Sequence, residues 1–225
     1  TSRRPAASSP RVAAAAADFE GTLEVAITAK SASNTATAYI KGTSAKIIPK
    51  EAIQVDNGVE GYPLLDFAKK KITLIAPKDK YYLDMPLTQF ETAINAQTVK
   101  IKPSGQTDTL VGHPAEEWVL EDGGKDLRLS LWATRDLTIG FNIMISLQKQ
   151  YPNEGLLLGR ALKSLMAQKA FPLKAVVSDK AGKPLLTWQV NLLTVTPVDD
   201  AEFAIPAGYG KMSDVLKKNR KTGGR

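Results

Sequence analysis

The chain has no cysteine and only one histidine, His113, among its 225 residues. It therefore has no disulfide framework, no thiol nucleophile and no Cys-ligated metal centre, and a lone imidazole leaves only carboxylate metal sites. Lack of cysteine suits the cytosol and a disulfide-free periplasmic protein equally well. Long hydrophobic runs are also missing: none approaches the ~20 residues of a membrane-spanning helix. The Ala13–Ala17 run is too short for a signal-peptide core, and folded-looking sequence follows it directly. No G-x-G-x-x-G or P-loop cradles a phosphate, no G-x-S-x-G elbow presents a serine, and no internal repeat is visible. The chain starts at Thr1 rather than Met. That start is expected for an exported protein whose signal peptide has been removed, and equally for a trimmed chain.

Hydrophobic content of 43% and charged content of 24% are ordinary for a globular protein of this length. The formal net charge of +7 invites a nucleic-acid reading, but its distribution argues against one. Residues 1–17 carry Arg3, Arg4 and Arg11 with no acid. Residues 211–225 carry six cations against Asp214, so the body between these tails is nearly neutral. The basicity belongs to the tails rather than to a patch on the fold, and no nucleic-acid partner is expected. The expected organisation is a disordered Pro/Ser/Ala/Arg-rich leader over 1–17, one domain over 18–212, and a basic tail over 213–225.

The strongest local signal lies in the centre, in Gly112–Leu137. Two alternating apolar/polar runs meet at Asp122-Gly123-Gly124-Lys125, as in a β-hairpin. Pairing outward from the turn sets Leu120 opposite Leu127, Trp118 opposite Leu129 and Glu116 opposite Leu131. One face is then apolar and the other wet. Upstream, Phe19, Leu23, Val25 and Ile27 alternate with polar residues, predicting a strand with one buried face. Strands are also predicted over 35–41 and 44–49, followed by a meander over 62–68, 71–76 and 80–85. Residues 86–97 read as a short helix or a loop. Two further strands, 98–102 and 107–111, flank Pro103-Ser104-Gly105. After Leu137 the period changes. Ile139, Ile143, Met144 and Leu147 recur at helical spacing, as do Leu158, Ala161, Leu162, Leu165 and Met166 after the start signal Pro152-Asn153. Strands resume over 173–178 and 185–196.

Several of these stretches form a recognisable set. They are Phe19-Glu20-Gly21, the segment Asp66–Tyr82, Gly112-His113 leading to Trp118, Leu131-Trp132-Ala133-Thr134, Phe171-Pro172-Leu173 and the terminal Phe203–Tyr209, FAIPAGY. Together, over about 19–212, they resemble an uncharacterised family of bacterial exported proteins similar to the LolA/LolB lipoprotein-carrier superfamily. The resemblance implies an unclosed, curved antiparallel β-barrel plugged by helices, with a concave face that holds acyl chains in the cell envelope. No charged carrier residue of that superfamily maps onto this chain, so transfer to a partner is not implied.

The candidates for chemistry are weak. His113 precedes Pro114 at a strand start and reads as a turn or edge histidine rather than a general base. Asp199-Asp200 and Glu116-Glu117 are adjacent pairs in extended stretches, so their side chains point apart. Gly155-x-x-x-Gly159 lies in no 20-residue apolar span and carries no membrane signal. The apolar helices read most simply as core, although methionine also suits an adaptable pocket.

The expected fold class is α+β: a curved antiparallel sheet or half-barrel plugged by two or three helices. The expected role is non-enzymatic binding, without cofactor or metal, of a lipid or other hydrophobic ligand in the periplasm or cell envelope. The pocket would lie between Leu23, Val25, Ile27, Trp118, Leu129 and Leu131 of the sheet and two helices. Those helices would contribute Ile143, Met144 and Leu147, and Leu158, Leu162, Leu165 and Met166. The alternative is a structural or sensory envelope module with a filled core and a protein partner. A concave cavity of several hundred Å3 would favour the first reading and a filled interface the second.

Overall fold

A computed structural model describes residues 19–29, 32–50, 54–56, 59–95, 97, 99–121, 126–139 and 153–213. The leader, the Gly-Gly turn, the helix expected around Ile143, Met144 and Leu147, and the tail beyond residue 213 lie outside the described residues.

The first strands alternate as the sequence predicts. In β1 (Gly21–Ala29), Leu23 and Val25 are buried while Thr22 and Glu24 are partly exposed. β2 (Ala32–Lys41) and β3 (Ser44–Pro49) continue the meander. A separate two-stranded ribbon, β4 (Gln54–Asp56) with β5 (Val59–Glu60), interrupts it. β6 (Tyr62–Asp66), β7 (Lys71–Ala76) and β8 (Tyr81–Pro86) follow, then α1 (Thr88–Asn95). β9 (Ile101–Leu110), β10 (His113–Leu120) and β11 (Leu127–Thr134) precede α2 (Glu154–Met166), and β12 (Phe171–Asp179), β13 (Pro184–Val195) and β14 (Gly210–Lys211) complete the order. All strands outside the ribbon join one twelve-stranded sheet, ordered β14-β8-β7-β6-β3-β2-β1-β13-β12-β11-β10-β9. Every pairing in it is antiparallel except that of β14 with β8, and the two end strands leave the curved sheet unclosed.

Three expectations need correction. The central hairpin pairs Trp118 with Leu131 and Glu116 with Ala133, two residues from the predicted register. An even shift keeps every side chain on its face, so the apolar side was assigned correctly while the partners were not. The two short strands around Pro103-Ser104-Gly105 are one strand, β9. Its pairing steps from Thr107–Glu116 to Pro103–Trp118, so the extra residues bulge out and Gly105 takes φ +88°. Among the described residues one helix, α2, plugs the sheet, rather than two or three. α1 has eight residues and rests on α2.

The face of α2 formed by Leu158, Ala161, Leu162 and Leu165 is 0–1% exposed and packs over β12. The same hydrophobic cluster contains Trp118, Leu129 and Leu131 of the sheet and takes in Phe19 against Phe171. Removing a side chain of leucine size from such a site costs about 2–5 kcal/mol.

The chain ends in a strap. β13 lies mid-sheet and β14 at the edge, so Thr196–Tyr209 must pass β1, β2, β3, β6, β7 and β8. It does so on the outer face. Lys46 projects there, because its neighbours Ala45 and Ile47 face inward, and its Nζ donates to Glu202 Oε2 at 2.8 Å. β7 is therefore buried on both faces: Ile72 and Leu74 in the main cluster, and Ile75 on the strap side. Its apolar residues therefore fall on both faces rather than on alternate positions only, with Thr73 buried as well.

Candidate functional site

The concave face holds a cavity of about 50 Å3. Leu23, Val25 and Ile27 of β1 and Ala36, Ala38 and Ile40 of β2 form its floor. Ala45 and Ile47 of β3, Leu65 of β6 and Trp188 of β13 complete the lining, which contains no charged side chain. The space exists because alternate inward positions on β2 and β3 carry alanine: Ala36, Ala38 and Ala45 face larger residues on β1 and β6 without filling the gap.

The structure brings together only part of the predicted pocket. Leu23, Val25 and Ile27 line the cavity. Trp118, Leu129, Leu131, Leu158, Leu162 and Leu165 instead pack as solid core at 0–4% exposure, in the other half of the sheet. Met166 is half-buried at the edge of that core. Ile143, Met144 and Leu147 lie outside the described residues. Sequence reasoning missed the β2, β3, β6 and β13 contributions. The available signal was Thr35-Ala36-Thr37-Ala38, a strand whose inward residues are too small to fill a core.

A second hollow of about 370 Å3 lies between α2 and the start of β9. Its lining includes Lys100, Arg160 and Lys163, with Glu121. Arg160 donates to Gln97 Oε1 at 2.7 Å, Lys163 to Asn95 Oδ1 at 2.8 Å and Ser164 to the Val99 carbonyl at 2.5 Å. These bonds fasten the α1–β9 connection to α2.

The polar candidates sit in structural roles. His113 Nδ1 lies 3.5 Å from Asp136. Glu117 accepts from Ser104 at 2.7 Å and Ser130 at 2.5 Å, while Glu116 turns to Arg135 at 3.5 Å, so the adjacent acids do face apart. The other pair divides in the same way. Asp199 accepts from the Ala201 N–H at 2.9 Å, and Asp200 pairs with Lys41 at 2.7 Å. That carboxylate raises the Lys41 pKa, and burial only partly opposes the shift. Among the described residues no three His, Asp or Glu side chains converge as a metal site requires.

The fold has counterparts among solved structures. An uncharacterized conserved protein from Thermus thermophilus superposes with a TM-score of 0.50 at 12% identity, over 85% of this chain and 88% of that one. MucB aligns with a TM-score of 0.49 at 13% identity, over 88% of this chain and 62% of that one. The MucA/MucB complex of Pseudomonas aeruginosa gives 0.49 at 11% identity, over 84% and 56%. The chain thus spans little more than half the length of these MucB chains. No curated protein matches the sequence. A family match covers residues 19–209, from the buried Phe19 to the end of the strap, and on that extent the chain belongs to the family described as a domain of unknown function, DUF4412.

Proposed function

We propose that this chain is a non-enzymatic binding protein of the bacterial cell envelope, LolA-like in kind, whose concave face takes up an apolar group such as the end of an acyl chain. The observation that carries this reading is the wholly apolar lining of the concave cavity. An unfilled apolar space favours apolar occupants over water, and each methylene buried there contributes about 0.8 kcal/mol. At about 50 Å3 the space falls short of the several hundred Å3 of a whole-ligand site and suits only a chain end or a branched side chain. A longer acyl chain requires the sheet to widen. The envelope location rests on the resemblance carried by Phe19-Glu20-Gly21 and the terminal FAIPAGY. No described helix is long and apolar enough to cross a membrane.

A second reading, a protein-interaction module with a filled core, is favoured by the complete packing under α2, where Leu158, Leu162 and Leu165 are 0–1% exposed. One experiment separates the two. Protein purified gently from its own host is weighed by native mass spectrometry, then denatured and extracted for lipid. The expected result is a mass excess that releases a fatty-acid-containing species and is lost in Ala38→Leu, which fills the cavity from its floor. A bare polypeptide mass, with no gain after incubation with phospholipid, rejects the first reading in favour of the second.

A further inference from the structure

The strap and the cavity occupy opposite faces of the same strands. On β2, Ala36, Ala38 and Ile40 line the cavity, while Tyr39 and Lys41 belong to the outer face. On β3, Ala45 and Ile47 point in and Lys46 points out. Among the described residues, every charged tie between this half of the sheet and the first part of the strap is made by those outer residues or by Glu20. Lys41 donates to the Val198 carbonyl at 2.9 Å and pairs with Asp200 at 2.7 Å, and Glu20 accepts from the Val198 N–H at 3.0 Å. Lys46 is the most enclosed cation of the set, with its side chain 14% exposed. Its ammonium sits 5.6 Å from the Tyr39 ring centre and 5.3 Å from that of Tyr62, and Glu202 closes the site at 2.8 Å.

The far end is fastened separately. The Gly210 N–H donates to the Lys80 carbonyl at 3.0 Å, β14 pairs with Tyr81–Tyr82, and Lys211 reaches Asp84 at 3.1 Å. The outer face has buried apolar residues of its own, Leu64 and Ile75, and the strap adds Val198. The strap is therefore tied to β2, to β3 and to the β8 edge at once. Widening the concave cavity changes the spacing and twist of β1, β2, β3 and β6, and the strap spans those strands from behind.

We propose that the C-terminal strap sets how far the concave cavity opens, with the Lys46–Glu202 pair as its clamp. This deepens the apolar-binding reading by naming what controls that site: entry of an apolar group works against the strap's ion pairs rather than against the sheet alone.

The test uses the full chain and xenon, an apolar probe small enough for a cavity of this scale. Amide hydrogen exchange and xenon-induced amide shifts are compared between the wild type and Glu202→Gln. The expected result is exchange accelerated roughly fivefold at β2 and β3, unchanged exchange at β11 and β12, and tighter xenon binding at Val25, Ala38 and Ala45. Acceleration confined to 198–211, or unaltered xenon binding, overturns the proposal. Should Glu202→Gln fail to fold, Asp200→Asn is read in the same way at the neighbouring tie. Because xenon occupancy needs no natural ligand, a negative lipid extraction and a negative strap result remain distinguishable.

Discussion

At the residue scale, two of the stretches that define the family resemblance acquire physical reasons. In Phe19-Glu20-Gly21, the phenylalanine is 2% exposed in the main core, and the glutamate holds the strap by accepting from Val198. Gly21 adopts φ +154°, and a Cβ placed there would stand 2.0 Å from the Thr194 carbonyl oxygen on β13. Backbone, not a movable side chain, occupies that space, so the close approach of β1 to β13 needs glycine. Gly21→Ala is expected to destabilise the protein by about 1–3 kcal/mol, read from the midpoint of urea unfolding at unchanged slope. The terminal Phe203–Tyr209 stretch, a signature at the level of sequence, is the part of the strap that leads into β14. Nothing in its composition indicates that it crosses the back of the sheet.

At the scale of elements, the helix α2 was located correctly by its apolar period, but its start signal has a different meaning. Asn153 precedes the helix with helical dihedrals and makes no side-chain cap bond. Packing of Leu158, Leu162 and Leu165 therefore holds the helix in place without the usual N-cap contribution of about 1 kcal/mol. Asn153→Ala is expected to change stability by less than about 0.5 kcal/mol, measured in the same unfolding assay. The sheet edges show a complementary economy. β14 has only two residues. In β9 the Glu121 N–H donates to the Lys100 carbonyl, so by alternation Pro103 turns its nitrogen to the open side, where it withholds a donor. With the adjacent bulge, this leaves little straight edge for another chain to pair with.

For the whole molecule, the strap closes a loop of interactions from mid-sheet to edge, and its far anchor is sensitive to acid. Burial alone would raise the Asp84 pKa. The Thr73 hydroxyl, Lys211 and Lys71 outweigh that effect and hold it below the ordinary 3.8. A depressed folded-state pKa contributes stability that is fully present above the unfolded value and lost as pH falls through the folded one. Stability is thus expected to decline below about pH 4 as Asp84 protonates. Asp84→Asn should lower stability at pH 7 and flatten its loss on acidification, as followed by urea unfolding at pH 7 and pH 3. A variant with the wild-type acid slope would show that this anchor does not couple to global unfolding.

The sequence by itself determined which residues face inward along β1 and the β10–β11 hairpin, where α2 lies, and that the basic charge sits in the tails. These properties are local: side-chain alternation, helical period and charge counts need no knowledge of distant partners. Only the tertiary structure decided that the cavity lies under β1–β3 rather than under α2. An unfilled volume is the small difference between packed volumes from five separate strands, and no one strand encodes it. The hairpin register followed the same rule, since a shift of two preserves the pattern that the sequence displays. The strap's path was the least legible feature. It rests on contacts such as Lys46 with Glu202, 156 residues apart, which only the folded chain brings together.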